Sequence, residues 1–261
     1  MLKRIALPFL LALSFAHAQR RSPLADAPAI RKRVELRETR LEFGAGIAST
    51  INQTFYHGLM ANVRLGFHIT DWLSVSGMGA FNVSSLSTGF QDRVVETLGP
   101  DADRAPSVTQ AKSGMNKQAM ILGGQLELTP FTGKYSLFGK LFAHYDFYLF
   151  GGGAFVKLAS VNPGAQPCSD TPMQDTCVVT GSKIGGTFGG GFHSFFNNFV
   201  ALHVELRDIL IKDNPAGRNV NGDRNALSEN LVDNKDLTWT SHLMASIGLT
   251  LYLPSTAGIS P

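Results

Sequence analysis

The feature that most constrains this chain is an alternation of apolar side chains with small or polar ones, which recurs in eight segments. Successive side chains of a β-strand point to opposite faces, so each segment predicts a strand with one apolar face. The clearest case is 59–69, whereas 145–157 is apolar on both faces, which leaves its register open. The eight segments are 41–48, 59–69, 73–82, 120–128, 145–157, 184–193, 200–207 and 242–253.

The connections between these segments alternate in length. Thr70-Asp71 and Asn197-Asn198 are tight turns, and the long polar connections are 83–117, 158–182 and 212–238. Outer-membrane barrels place short turns in the periplasm and long loops outside the cell. The sequence therefore predicts an all-β fold, an eight-stranded antiparallel up-and-down transmembrane β-barrel with short periplasmic turns and long extracellular loops.

The predicted barrel covers residues 41–253 and is followed by a C-terminal tail at 254–261. One connection, 131–144, is longer than a tight turn and apolar, so we expect a short amphipathic helix there at the inner membrane surface. The chain holds 27 glycines and 18 phenylalanines, a composition that suits closely packed β-structure. After the N-terminal region no segment reaches the length of a membrane helix, so a membrane form requires a closed barrel.

The alternation also predicts which side chains face the interior. The apolar face points to lipid, and the polar face carries a lumenal cluster of Arg64, Glu127, Asp146, Glu205 and Arg207. Aromatic residues near strand ends predict two interfacial girdles: Phe67, Trp72, Phe131, Phe195, Phe196 and Phe199 near the turns, and Phe55, Tyr56, Phe81 and Trp239 near the loops. A soluble lipocalin-like barrel, with the opposite parity, is the alternative that alternation alone leaves open.

The N-terminus has the residue pattern of an export signal. Lys3 and Arg4 precede an apolar run and Ala16-His17-Ala18, which predicts a signal peptide over 1–18. Its removal lowers the formal net charge from +3 to +1, so we expect no nucleic-acid partner. Residues 19–40 form a basic periplasmic segment, which is either a solvated tail or a docking segment for a periplasmic partner, anionic lipid or the cell wall. Its basic residues are Arg20, Arg21, Arg31, Lys32, Arg33, Arg37 and Arg40.

Two cysteines, Cys168 and Cys177, flank a polar stretch in the second long loop. After export the pair meets an oxidising compartment, so we expect a local disulfide, with two free thiols as the alternative. The stretch offers too few ligands for a metal site. We expect no cofactor.

The last strand, 246–253, resembles the insertion signal of outer-membrane barrels, with Gly248, Leu251 and Leu253 in the signal positions, although it ends in leucine and eight residues follow. That resemblance implies recognition by the barrel-assembly machinery. The stretch from Thr129-Pro130-Phe131 to Tyr148-Leu149, with Lys134-Tyr135-Ser136-Leu137-Phe138 inside it, is similar to the core motif of a myxobacterial-type outer membrane β-barrel domain family. This second resemblance implies a barrel in the cell outer membrane, in contact with its lipid and lipopolysaccharide, and implies no chemistry.

The sequence favours a non-enzymatic structural or anchoring barrel of the cell envelope, which could belong to a larger surface or motility complex. A small pore is the first alternative, but side chains just fill an eight-stranded barrel. A lipid-modifying enzyme is another, but the pairs His193-Ser194 and Ser241-His242 point to opposite strand faces. We therefore assign no catalytic residue.

Overall fold

The computed structural model describes residues 34–35, 37–98, 112, 114–137, 141–161, 178–215, 236–255 and 258–259. The chain divides into two units, of which the larger covers residues 35–258. The smaller unit covers 1–34 and 259–261, and only Val34 and Ile259 of it are among the described residues. The predicted signal peptide (1–18) and the predicted disulfide residues Cys168 and Cys177 lie outside the described residues. No helix in the described ranges is both long enough and apolar enough to cross a membrane.

Eight strands form a closed antiparallel barrel in chain order, which confirms the predicted fold. The strands are β1 (Leu41–Thr50), β2 (Tyr56–His68), β3 (Leu73–Ser87), β4 (Asn116–Leu137), β5 (Leu141–Ser160), β6 (Gly181–Phe195), β7 (Val200–Asp213) and β8 (Thr238–Leu253). Antiparallel pairing of β1 with β8, from Leu41 opposite Leu253 to Thr50 opposite Met244, closes the cylinder. The two-residue strands Val34–Glu35 and Gly258–Ile259 pair with each other.

The two ends of the barrel differ. At one, here called the turn end, β2 joins β3 through 69–72 and β6 joins β7 through 196–199. At the other, the loop end, a helix α1 (Gly89–Leu98) follows β3. The ring of Phe90 in α1 packs against the ring of Phe55, with 5.8 Å between their centroids.

The prediction of an amphipathic helix at 131–144 is wrong. β4 runs on to Leu137 and β5 begins at Leu141, and the two pair from Phe131 opposite Phe147 to Leu137 opposite Leu141. Phe131, Gly133 and Tyr135 alternate with Thr132, Lys134 and Ser136, which is the period of a strand rather than of a helix. The register shifts between Leu128 and Phe131, a bulge that accommodates Pro130, which has no amide proton for a ladder.

The outer surface of the barrel is apolar and the inner surface is polar or small. Leucine, valine, isoleucine and phenylalanine of the predicted lipid face are exposed, among them Leu65, Leu126, Leu206, Leu249 and Leu253. The predicted girdle residues Phe67, Trp72, Phe81, Phe131, Phe196, Phe199 and Trp239 are exposed as well. Phe195 is not part of a girdle, because it shares the inward parity of His193 and is 2% exposed, packed on Tyr252.

Some glycines on the inner face lie so close to the backbone of the neighbouring strand that a side chain would not fit. A Cβ on Gly152, whose position faces inward, would lie 2.0 Å from the Gly124 carbonyl oxygen on β4. A Cβ on the preceding Gly151 would have nothing within 4 Å, because that position faces outward. A side chain is thus excluded at Gly152 and tolerated at Gly151.

Candidate functional site in the barrel interior

Arg64 on β2 lies at the centre of a charged cluster in the interior. Its Nη1 donates to Glu205 Oε2 at 2.7 Å and to the Tyr148 hydroxyl at 2.9 Å, and its Nη2 donates to Glu127. Its Nε lies 2.8 Å from Glu42 Oε1, an ion pair without the angle of a hydrogen bond. Three carboxylates surround this one guanidinium, so further cations are needed to balance their negative charge.

Arg207 on β7 supplies one of those cations. Its Nη2 and Nε both donate to Glu205 Oε1, at 2.7 and 3.0 Å, and its Nη1 donates to Thr187. The guanidinium carbon lies 4.2 Å from the ring centroid of Phe150. Arg207 is thus held by a carboxylate on its own strand and by an aromatic face on β5.

Neutral donors complete the coordination of Glu127. Its carboxylate accepts hydrogen bonds from the hydroxyls of Ser74 and Ser76 and from Gln125 Nε2. Such charge-assisted bonds offset part of the cost of burying a carboxylate.

A second group lies at the turn end around His193 of β6. Its Nδ1 is 2.9 Å from Asp146 Oδ1 and its Nε2 is 3.6 Å from Glu42 Oε1. Its ring stacks on Tyr148 with 4.7 Å between centroids. His68 Nε2 lies 2.8 Å from Glu42 Oε2. The histidines therefore link the Arg64 cluster to Asp146.

Two arginines from the segment before β1 close the turn end. Arg37 Nε lies 3.3 Å from Asp146 Oδ2, and its Nη2 donates to the Asp71 carbonyl and to Thr129. Arg40 Nη2 donates to the Tyr252 carbonyl at 3.0 Å, with the guanidinium over the Tyr252 ring. Both residues are 2% exposed. They belong to the segment 19–40, which we expected to lie outside the barrel; residues 19–33 and 36 are outside the described ranges.

All five residues of the predicted lumenal cluster lie in the interior, and the structure brings them together with Glu42, His68, Tyr148 and His193. Their parity on the strands was the signal that could have found these four. No sequence signal predicts Arg37, because it precedes the alternating segments. Among the described residues of this part of the interior, four arginines, Arg37, Arg40, Arg64 and Arg207, equal in number the four carboxylates, Glu42, Glu127, Asp146 and Glu205.

Towards the loop end the interior changes from polar to apolar. A cluster of buried apolar residues fills the barrel there, with Leu237 packed against it. It consists of Ala48, Met60, Met78, Ala80, Ile121, Ala154, Val156, Leu158, Val179, Ile209, Ile211 and Met244. The charged residues around Arg64, here called the charged layer, and the apolar residues, here called the apolar layer, both lie across the axis of the barrel.

The serine and histidine pairs noted in the sequence make separate contacts. Ser194 bonds the Tyr135 hydroxyl at 2.5 Å, and Ser241 donates to both oxygens of Asp208. His242 Nδ1 lies 2.7 Å from Gln53 Nε2. Among the residues that the structure describes, no group of histidine, cysteine and acidic side chains could hold a metal ion. The geometry of these pairs offers no serine nucleophile beside a histidine base.

The residues of the predicted insertion signal lie on β8. Leu251 and Leu253 are 48% and 49% exposed on the outer face. Gly248 faces inward, where a Cβ would lie 2.3 Å from the Ala45 carbonyl oxygen of β1. Gly248 thus also permits close contact across the β1–β8 closure.

The solved structures that match this chain include two outer-membrane barrels. The chain is similar to the N-terminal β-barrel domain of Pseudomonas aeruginosa OprF, with 9% identity and a TM-score of 0.45 over 83% of this chain and 98% of that one. It is also similar to the outer membrane protein OprG from Pseudomonas aeruginosa, with 8% identity and a TM-score of 0.38 over 85% of this chain and 99% of that one. No protein-family model and no curated protein matches the chain.

Proposed function

We propose that this chain is a closed, non-enzymatic barrel of the bacterial outer membrane that acts as a structural or anchoring protein of the cell envelope. The observation that carries the proposal is the distribution of polarity. Exposed leucines, valines and phenylalanines cover the outside, whereas the charged side chains of the Arg64 cluster are buried and paired inside.

This polarity suits lipid and does not suit water. A lipocalin-like carrier has an apolar interior and a polar exterior, which is the opposite of what is seen in the charged half of this barrel. In a bilayer the turn end faces the periplasm and the loop end faces the medium, as is usual for such barrels. The exposed Trp72, Phe131 and Phe199 then lie at one interface and Phe81 and Trp239 at the other.

An anchoring role is favoured over a pore because the interior is filled. The charged layer and the apolar layer described above both lie across the axis. An eight-stranded barrel has an interior just wide enough for its own side chains. The loops, or the part of segment 19–40 that precedes Arg37, then remain as the parts that bind a partner.

The test is fractionation followed by a gel of unboiled and boiled samples of the outer-membrane fraction. We expect the protein in that fraction and a faster band in the unboiled sample, because a closed barrel resists detergent until it is heated. Reconstituted protein is expected to give no stepwise current across a planar bilayer. A soluble periplasmic protein without a band shift, or a steady conductance, would contradict the proposal.

A further inference from the structure

We propose that residues Arg37–Arg40 form a detachable plug, which closes the turn end of the barrel and can leave it while the eight strands stay paired. Release of the plug opens the polar half of the interior to solvent on the side of the turns. The inference goes beyond the proposed function, because it concerns how the interior is closed and not what the barrel anchors.

The plug is one strained turn of chain. The Arg40 amide donates to the Arg37 carbonyl at 3.1 Å, which closes the turn, and Thr39 inside it has a φ of 54°. This left-handed conformation is unfavourable for a β-branched residue and persists only where the surrounding structure holds it. The seated plug therefore carries backbone strain that its release removes.

Polar contacts hold the plug in the turn end. The backbone amides of Arg37 and Glu38 donate to Asp71 Oδ1 at 3.1 and 3.2 Å. The Arg37 guanidinium donates to the Asp71 carbonyl and the Thr129 hydroxyl, and its Nε lies 3.3 Å from Asp146 Oδ2. The plug consists of two arginines, a glutamate and a threonine, so no apolar side chain fastens it. Water can replace such polar contacts at a modest net cost.

Some buried polar groups beside the plug stay unsatisfied while it is seated. Within the described residues, Arg37 Nη1, His68 Nδ1 and the Tyr252 hydroxyl are buried without a hydrogen-bond partner. The rings of His68 and Tyr252 are 5.6 Å apart, and the Arg40 guanidinium carbon lies 5.4 Å from the Tyr252 ring centroid. A buried polar group without a partner is unfavourable, and contact with water removes that cost. Hydration of these groups therefore favours release.

The barrel keeps its carboxylates paired when the plug leaves. Asp146 retains His193, whose Nδ1 lies 2.9 Å from its Oδ1, and Glu42 retains Arg64 at 2.8 Å. Release therefore leaves neither carboxylate without a partner in the charged layer.

The plug also ends where the strand ladders begin. Leu41, the next residue, already pairs with Phe67 of β2 and with Leu253 of β8. The plug can thus leave without breaking a strand pair of the barrel. The apolar layer still fills the loop half of the interior, so release opens a polar recess rather than a channel.

The experiment is amide hydrogen exchange of the barrel folded in detergent micelles and labelled with ¹⁵N-arginine. The amides of Arg37 and Arg40 report on the plug. Those of Arg64 and Arg207 lie within β2 and β7 and report on the ladders of the same molecule. The gel shift of each unboiled sample shows that the barrel is closed before exchange begins.

We expect Arg37 and Arg40 to share one opening constant, because they belong to one cooperative turn. Their amides should exchange about tenfold or more slowly than those of an unstructured peptide, and about a hundredfold faster than those of Arg64 and Arg207, as for a locally unfolding unit.

Two variants should change this opening constant in opposite directions. Thr129→Val removes a hydroxyl that accepts from Arg37, so both plug amides should exchange about fivefold faster while the ladder amides stay unchanged. Thr39→Asn should slow the plug amides, because asparagine tolerates the left-handed region better than threonine. Thr132→Val is the matched control, since Thr132 is an exposed threonine on the same strand as Thr129.

Several results would overturn the plug. Exchange as slow at Arg37 and Arg40 as in the ladders would mean that the turn opens only with the whole barrel, and exchange at the rate of a free peptide would mean that it is not seated. Equal effects of T129V and T132V, or wild-type exchange in T39N, would contradict the contacts or the strain. A sample without a gel shift fails the proposed function instead, so the two failures are distinguishable.

Discussion

The Nε of Arg37 lies 3.3 Å from Oδ2 of Asp146, although Arg37 precedes the first strand and Asp146 lies on the fifth. Asp146 in turn contacts His193 on the sixth strand. The segment before β1 is therefore held by the same ionic network that fills the barrel, and its removal would leave a buried carboxylate short of a cation.

We expect Arg37→Met and Asp146→Asn to be coupled in a double-mutant cycle, because each residue loses its partner when the other is replaced. The coupling should be about 0.5–3 kcal/mol, measured as the free energy of unfolding in urea after reconstitution. Glu38→Gln is the control, since Glu38 is exposed and its side chain makes none of these contacts. Additive effects of the two changes would show that the ion pair contributes nothing.

Arg64→Met should destabilise the barrel strongly, because it leaves Glu42, Glu127 and Glu205 without their shared guanidinium. Breaking a buried pair on one side costs about 3–5 kcal/mol. The temperature at which the unboiled band converts to the boiled one measures the effect. Arg93→Met on α1, an exposed residue, should leave that temperature unchanged, and an equal shift in both variants would refute the central role of Arg64.

Leu249→Arg tests whether the outer face meets lipid. Leu249 is 54% exposed on β8, opposite Ala45 in the middle of β1, so in water the change would be nearly neutral. In a bilayer an arginine on the lipid face costs about 2–4 kcal/mol near the midplane. The yield of folding into phospholipid vesicles should drop, whereas Ser87→Arg, at the exposed loop end of β3, should fold normally. Equal yields would contradict the membrane placement.

Gly152→Ala and Gly151→Ala form a matched pair on one strand. The added Cβ at 152 meets the Gly124 carbonyl oxygen at 2.0 Å, and the one at 151 meets open space. We expect G152A to fold poorly and G151A to fold like the wild type, as measured by the fraction of faster-migrating band after refolding. Similar refolding yields in both variants would show that β4 and β5 can move apart to accommodate a methyl group without loss of stability.

Side-chain alternation and the alternating lengths of the connections together predicted the barrel, since the side-chain parity of β2, β7 and β8 follows directly from the sequence. The apolar layer could not be predicted in the same way, because residues such as Ile209 and Ile211 are apolar on the inward face. Phe195 was assigned to a girdle because it lies near a turn, whereas its parity, shared with His193, points inward. The extension of β4 and β5 over 131–144 was missed because the prediction there rested on the number of apolar residues and not on their alternation.

The charged cluster was partly predictable for a related reason. Arg64, Glu127 and Glu205 interrupt otherwise apolar strands, so their inward parity is informative. Arg37 and Arg40 lie in a basic run whose composition resembles a solvated tail, and only the fold shows that two of these charges enter the barrel.

The closure of β1 on β8 also has a consequence in time. The first and last strands of the barrel pair with each other, so the cylinder cannot close before nearly the whole chain is available to fold. Contacts between residues so distant in sequence form slowly. Arg64 can meet Glu42 on the adjacent β1 early, but Glu205 arrives with β7. If the barrel lies in the outer membrane as proposed, the apolar faces of the early strands have no lipid to cover them during that interval, and they would have to be shielded from water until β8 pairs with β1.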